Sequence, residues 1–547
     1  MRFLESSAAL AALAVVGEAS TPAGHVHAVR PASLLERRGP QLFRRDWQPD
    51  VENWGPAPAT PNDIAVAAST NETKPPVASD ALQNDIDSAA LLDHAENLQA
   101  IAYQTTGRNR VFGSPGHNFT ALYLYELISE LSDYYDVEYQ PFVETFSGGD
   151  ATLTVNGEDQ DAALMTYAPN GQVEAPIVAV SNLGCDPRLQ ADYPAEVAGN
   201  IALISRGSCE FGLKAAYAGA AGAAGAVIYN NINGSLSGTL GAPNRTEGAY
   251  PPTAAISLAN GQAILALIEA GETVGNLNVN SIIEDRVTMN VIAQTKAGDP
   301  NNVIFVGAHA DSVEAGPGIN DNGSGSIGIL EVALQLAKYE VNNAVRFAWW
   351  SAEEFGLLGA EYYVNQSTPE DLDKIRLYLN FDMIASPNYF LGIYDGDGSA
   401  FNLSGPAGSA EAEALFEGYF ESKGLPSQPT EFSGRSDYGP FLDVGVAAGG
   451  LFTGAEVIKT EEEAALYGGT AGLAYDENYH KVGDTVDNLN LEAFLINTRA
   501  IAHSVATYAE SFDTLPPRSR RVVRRNPLIP KAKATGCHHK HEEVKAR

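Results

Sequence analysis

Residues 303–312, Val303-Ile-Phe-Val-Gly-Ala-His309-Ala-Asp311-Ser312, form an apolar run that stops on a histidine and an aspartate. Such a continuous run reads as a strand buried on both faces. The flanking sequence repeats the theme: a helix is predicted over 326–340, a strand over 344–350, a helix over 357–366 and a strand over 376–381. Strand alternating with helix predicts an α/β fold, a central mixed sheet flanked by helices. In such sheets, sites gather beyond the carboxyl ends of the strands. The polar residues of this region sit at those ends.

Two residues apart in an extended chain share a face, so Asp311 can accept a hydrogen bond from the far ring nitrogen of His309 or orient it through neighbours. Gly318-Ile-Asn-Asp321-Asn-Gly323-Ser-Gly325 opens the next helix. Its glycines permit backbone angles that turn Asp321 back toward the strand ends. A glycine-rich loop can also cradle phosphate on its amides. This one lacks the Lys-Ser/Thr of a P-loop and carries an aspartate that repels phosphate. Trp349-Trp-Ser-Ala-Glu353-Glu354 ends a strand on two adjacent carboxylates, which are costly there unless a metal or a substrate cation holds them. An exposed acidic turn is the alternative. Asn380-Phe-Asp382-Met ends another strand on an acid, and Tyr475-Asp-Glu-Asn-Tyr479-His480 is a polar loop whose histidine, taken singly, is an ordinary surface residue.

Taken together, His309, Asp321, Glu354, Asp382 and His480 are hard and borderline ligands suited to zinc. Five protein ligands serve two metals when one carboxylate bridges, the metals lying about 3.5–4 Å apart and sharing a water. Glu353 is then the spare carboxylate that deprotonates the water and passes the proton to the leaving amine.

In order and in residue type, these segments resemble the co-catalytic zinc aminopeptidases of the M28 peptidase family, over residues 85–510. Gly434-Arg435-Ser-Asp437-Tyr and Gly450-Leu-Phe452-Thr-Gly look like that family's substrate-pocket segments. The resemblance implies the zinc exopeptidase fold and two zinc ions, with His309 and Asp382 on one, Glu354 and His480 on the other, and Asp321 bridging. It implies that Asp311 supports His309, that Tyr479 stabilises the oxyanion, and that Arg435 and Phe452 shape the substrate pocket. The implied activity is removal of N-terminal residues from peptides with a free N-terminus, by a monomer. A zinc carboxypeptidase is the alternative, but it needs a basic cluster for a carboxylate, and Arg435 is the one evident candidate. A glutaminyl cyclase-like acyltransferase would need one zinc, against a five-ligand set. A receptor-like relative without metal would lack ligands, and none is missing.

Outward from this core the composition changes. Residues 148–285 carry short strands (175–180, 200–205, 226–229) separated by Gly, Asn and Pro, and a helix from Leu213 that is nearly all Ala and Gly, suited to close packing on a sheet. Gly199-Asn-Ile-Ala-Leu-Ile-Ser-Arg-Gly-Ser-Cys209-Glu-Phe resembles a protease-associated domain, a β-rich module inserted in several peptidase families. Cys185 and Cys209 flank a short stretch of it and can bridge in an oxidising compartment. Cys537 is expected to be unpaired. The domain reading is therefore a signal peptide at 1–19, a pro-segment or linker at 20–80, a peptidase part at 81–147, the inserted module at 148–285, the second peptidase part at 286–512 and a basic tail at 513–547. The first peptidase part begins with a helix through Leu91, Leu98 and Ile101, then a second through Leu122 to a strand at Val137.

The whole chain of 547 residues is 44% hydrophobic and 19% charged, with a formal net charge of −34. A large core is feasible, and nucleic acid and anionic membranes are excluded as main partners because they would be repelled. The last thirty residues hold ten Lys and Arg against two Glu, a net of +8, leaving −42 on the rest. Arg2 precedes a small apolar run at 8–16, and Gly17-Glu-Ala19 offers a cleavage site, so export is expected, to the outside or to a vacuole-like lumen. The dibasic pairs Arg37-Arg38 and Arg44-Arg45 are plausible processing sites. Glycosylation acceptors at Asn71, Asn118, Asn233, Asn244, Asn365 and Asn402 fit export. Asn322 also matches but lies in the Asp321 loop and is expected to be bare. The tail histidines His538, His539 and His541 lie outside the resemblance and offer a weak metal-capture alternative.

Overall fold

The structure is a computed structural model that describes residues 74–188, 191–271 and 273–517. The expected signal peptide, dibasic pairs, Asn71, Cys537 and the tail histidines lie outside the described residues. Among the described residues no helix is long and apolar enough to cross a membrane.

The chain is α/β, with a central mixed sheet flanked by helices. Its middle strand, Asp299–His309, runs parallel to Asn343–Trp350 on one side and Ile375–Phe381 on the other. Ala448–Phe452 continues the parallel set, and Gly392–Tyr394 and Val274–Thr295 close it on either side with antiparallel pairings. Side chains along the middle strand alternate between two cores. Ile304, Val306 and Ala308 pack with the helices Ser88–Tyr103, Gly325–Leu336 and Leu491–Glu510, whereas Val303 and Phe305 pack with Trp350, Tyr378 and Phe441 on the other face. This two-sided burial is why the run lacks polar alternation. The register pairs His309 with Trp350 and Gly307 with Asn380. His309, the Glu353-Glu354 turn and Asp382 therefore leave the sheet at one edge.

A second module, with its own core, has the parallel strands Gly171–Ala179, Ile201–Ser205, Gly225–Tyr229 and Thr253–Ile256. The small-residue helix is Phe211–Ala220. Its close approach is to the loop 240–249 as well as to the sheet: a Cβ on Gly219 would sit 1.8 Å from the Ala249 carbonyl oxygen, and one on Gly212 2.0 Å from that of Leu240. Cys185 and Cys209 form a disulfide with Cα atoms 5.9 Å apart.

Two long strands, Tyr135–Val155 and Val274–Thr295, pair antiparallel over their whole length and run through both modules. The expected boundaries at 147/148 and 285/286 fall inside this ribbon. Gly148-Gly149 looks like a break in sequence, but the strand continues there because Gly149 lets the Asn280 carbonyl approach to 2.1 Å of where a Cβ would stand. The outer limits of the peptidase part lie further out than 81 and 512. Val77 and Leu82 are buried, the helix Ser79–Asn84 packs on the helix Leu491–Glu510, and Phe512 and Leu515 are buried at the other end. Neither 74–80 nor 513–517 behaves as a free linker.

Candidate metal centre

At the edge where the three strands end, the structure brings together His309, Asp321, Glu353, Glu354, Asp382 and His480. His309 Nε2 lies 3.4 Å from Asp321 Oδ1, 3.4 Å from Asp382 Oδ1 and 3.7 Å from Glu353 Oε2. His480 Nε2 lies 3.0 Å from Asp321 Oδ2 and 3.0 Å from Glu354 Oε2. Asp321 thus turns one carboxylate oxygen to each histidine. The six side chains are buried or nearly so. Yet His309 Nε2, His480 Nε2, Glu354 Oε1 and Asp382 Oδ1 find no aligned hydrogen-bond partner among the described residues. Buried polar atoms are seldom left so. Nitrogen and carboxylate donors converging with unsatisfied lone pairs fit a zinc-type cation, and the groups His309, Asp321, Glu354 and His309, Glu353, Asp382 each gather within 4.8 Å.

The loops that carry these ligands are tied down from behind. His309 Nδ1 faces the Asp311 backbone oxygen at 3.3 Å and Asp311 Oδ1 at 3.6 Å, and Asp311 Oδ1 also accepts from the Glu353 backbone N–H at 3.1 Å. Asp311 supports both a histidine and the acidic turn, more than the shared-face argument foresaw. Asp484 accepts from the backbone N–H groups of Asn320 and Asp321 at 2.8 and 3.0 Å. Asn322 is buried, donating to Phe381 O and accepting from Gly325 and Met383 N–H, which agrees with its expected bareness. Ser436 Oγ donates to Asp382 Oδ2 at 2.6 Å.

Arg110 is the residue that sequence reading missed most plainly. Its fully buried guanidinium donates to the carbonyls of Ala310, Pro317 (2.8 Å) and Gly318 (2.5 Å), clamping the His309 and Asp321 loops together. Burial lowers its pKa to about 10 against the pull of Asp311, Asp484 and Asp321. Spacing could not reveal it, because its partners lie some two hundred residues downstream. Arg110→Ala leaves three buried carbonyls unpaired, at about 1–3 kcal/mol each. We expect it to lose at least about 3 kcal/mol in denaturant unfolding, and an unchanged midpoint would refute the clamp.

The charges are out of balance without a cation. Burial, reinforced by Glu354, Asp437 and Asp382, pushes Glu353 well above the usual carboxylate range, and burial with Asp321 nearby raises Glu354 to about 6. Burial also disfavours the charged forms of His309 and His480, but the carboxylates around them win and hold both well above the usual histidine range. Asp321 goes the other way: burial would raise it, but the two histidines facing its oxygens hold it low.

The remaining expected residues fall in different places. Tyr479 stacks on His480 with ring centres 3.8 Å apart, and its hydroxyl accepts from Arg435 at 2.9 Å. Arg435 also meets Glu456 at 3.5 Å. Both lie beside the cluster. Phe452 packs edge-on against Phe390 at 6.2 Å at the end of its strand. A cleft of about 1880 Å³ leads from Glu353 and Glu354 past Arg435 to the second module, and its lining does not include Phe452. Asn118 is a correction. It is 7% exposed within the helix Pro115–Ser129, where a glycan has no room. Asn233, Asn244, Asn365 and Asn402 are exposed, and Asn244 and Asn365 stand on the two modules' sides of the cleft.

Comparison with known proteins places this geometry in context. Residues 290–505 match Peptidase family M28, and residues 173–264 match the PA domain. The chain is 57% identical over 446 residues to a probable leucine aminopeptidase 2 of Aspergillus fumigatus, covering 81% of this chain and 88% of that one. It is 51% identical over 470 residues to leucine aminopeptidase 2 of Trichophyton rubrum, covering 85% and 93%. Among solved structures, an aminopeptidase from Aneurinibacillus sp. strain AM-1 superposes with a TM-score of 0.62 at 27% identity, covering 83% of this chain and all of that one. A zinc aminopeptidase from Bacillus subtilis shares the fold, with a TM-score of 0.55 at 23% identity over 78% of this chain and 95% of that one.

Proposed function

The chain belongs to peptidase family M28, and from that premise we propose that it is a zinc aminopeptidase in which His309, Asp321, Glu354, Asp382 and His480 would hold two zinc ions. The observation that carries this reading is Asp321, whose two oxygens face the two histidines at 3.4 and 3.0 Å. Zinc, when bound, supplies Lewis-acid polarisation of the scissile carbonyl and acidifies water.

The chain's own residues do the rest. Glu353 Oε2 is turned to the cluster, 3.7 Å from His309 Nε2, where it can take a proton from water and return it to the leaving amine. Asp311 fixes Glu353 through its backbone N–H and orients His309. Arg435 and Tyr479 lie where donors can face the developing oxyanion. The surplus of carboxylates recognises the substrate's N-terminal ammonium, which favours removal of N-terminal residues over action at a carboxyl end. Export fits the disulfide and the exposed acceptor asparagines, and the PA module walls the substrate cleft.

The test is hydrolysis of leucyl-glycyl-glycine and its N-acetyl derivative, with zinc analysis of the same protein. The expected result is about two zincs per chain and cleavage of the free-amine substrate only. Cleavage of the acetylated peptide from its carboxyl end would favour the carboxypeptidase reading, and cyclisation of an N-terminal glutamine peptide the acyltransferase reading.

A further inference from the structure

The cleft that opens from Glu353 and Glu354 is far larger than one amino-acid side chain needs. Its volume of about 1880 Å³ exceeds the roughly 300–1,000 Å³ of ordinary small-ligand pockets. One wall belongs to the PA module, through residues 206–213 and 239–247, and the other to the peptidase part.

Three cations line it, and two are committed. Arg245 meets Glu210 at 2.8 Å and Glu247 at 3.6 Å, and Arg435 is taken by Glu456 and Tyr479. Arg206 differs. It follows the strand Ile201–Ser205, with its backbone N–H bonded to the Tyr229 carbonyl at 2.9 Å. Its Nη1 donates to Asn230 Oδ1 at 3.0 Å, and the guanidinium stands 5.9 Å from the Phe211 ring centre. Asn230 is buried and is itself fixed by its bond to the Ser235 carbonyl. Among the described residues Arg206 has no carboxylate partner, and Asn230 is the acceptor the structure gives it. A guanidinium has five N–H donors in a planar fork that matches a carboxylate. Arg206 is thus anchored at one corner and aimed by its neighbours, in a chain whose net charge is −34.

The peptidase side of the cleft is strongly acidic, whereas the PA wall balances Glu210 and Glu247 with Arg245 and Arg206, of which Arg206 alone is not engaged by a carboxylate among the described residues. A short peptide has the matching polarity, an ammonium at its N-terminus and a carboxylate at its C-terminus. We propose that Arg206 binds a carboxylate on the downstream part of the substrate, so that the PA module selects short peptides ending in a free carboxylate. This rests on the aminopeptidase reading above and assigns the module's part in it.

The experiment compares kcat/KM for leucine followed by one to six glycines, each as the free acid and as the C-terminal amide, with wild type, Arg206→Ala and Arg206→Glu. One further amide carries a glutamate in place of a glycine. Wild type should prefer the free acid by about five- to tenfold at some length, a preference that fades with salt. Arg206→Ala should bring the ratio to one, and Arg206→Glu should invert it. Because each ratio is taken on one preparation, partial misfolding of a variant cancels. If the glutamate-containing amide recovers the wild-type rate, Arg206 accepts a side-chain carboxylate as well as the terminus; if it does not, the terminus is the ligand. An acid-to-amide ratio near one at every length in wild type, or a ratio kept in Arg206→Ala, overturns the proposal. Failure to cleave a leucine chromogenic substrate would instead overturn the aminopeptidase reading itself.

Discussion

Glu353→Gln should keep its zinc and lose about two to four orders of magnitude in kcat, the range that a positioned general base contributes. The substitution preserves volume and the backbone N–H that bonds Asp311, so the acidic turn should hold its shape. It removes only the capacity to take a proton. Glu353 has no place in the ligand set proposed here, and its Oε2 lies 3.7 Å from His309 Nε2, within the cluster but behind the closer oxygens of Asp321 and Asp382. In the metal-free protein its carboxyl is already driven toward the neutral form by burial and by Glu354 and Asp437. A neutral glutamine should therefore be tolerated, and the metal-free variant should melt no lower than the wild type. Steady-state kinetics with elemental zinc analysis on the same samples decides the matter. A kcat within tenfold of wild type would remove Glu353 from the mechanism, whereas a loss of zinc would move it into the ligand set.

The strands that carry this site were legible because burial on both faces leaves an unbroken apolar run, and because polar residues are tolerated only where the run ends. His309, Glu353, Glu354 and Asp382 announce themselves that way. Asp321 and His480 do not; they became readable only jointly, through the chemistry that six such side chains share. The long helix Leu491–Glu510 went unread although its buried Phe494, Ile501, Val505 and Tyr508 recur at helical spacing. Arg110 and Asp484 act on backbone groups remote in sequence, and such contacts leave no local pattern. Asn118 shows the converse: a three-residue acceptor motif is purely local, while the burial that silences it is set by how a helix packs.

Removing metal should destabilise the protein, and the destabilisation should grow as pH rises from 5 to 8. His309 and His480 titrate well above the usual histidine range in the folded, metal-free chain because the carboxylates around them outweigh burial. Their contribution to stability is fully present below the unfolded value near ~6.5 and is lost as pH rises through the folded one. Glu354, raised to about 6, and Glu353 and Asp437, raised further, are penalised once pH passes the ordinary carboxylate range. All five groups bind protons more tightly folded than unfolded, so all push the same way. Asp321 has the opposite sign, but its contribution is complete above ~4 and stays constant across this window; His117, lowered to about 4 by burial, also opposes the trend and offsets one of the five groups between pH 5 and ~6.5. A net uptake of one proton on folding corresponds to about 1.4 kcal/mol per pH unit, or roughly 1.5 °C in Tm for a chain of this length at ~2.1 cal/mol/K per residue. Zinc requires deprotonated histidines, so its stabilising effect should rise over the same interval. Calorimetric melting of chelated and zinc-loaded protein at constant ionic strength tests this. Chelated Tm should fall with pH, the gap to the loaded protein should widen, and Glu354→Gln should flatten the chelated slope around pH 5 to 6. A flat or rising chelated Tm would mean that these buried groups are not holding protons in place of metal.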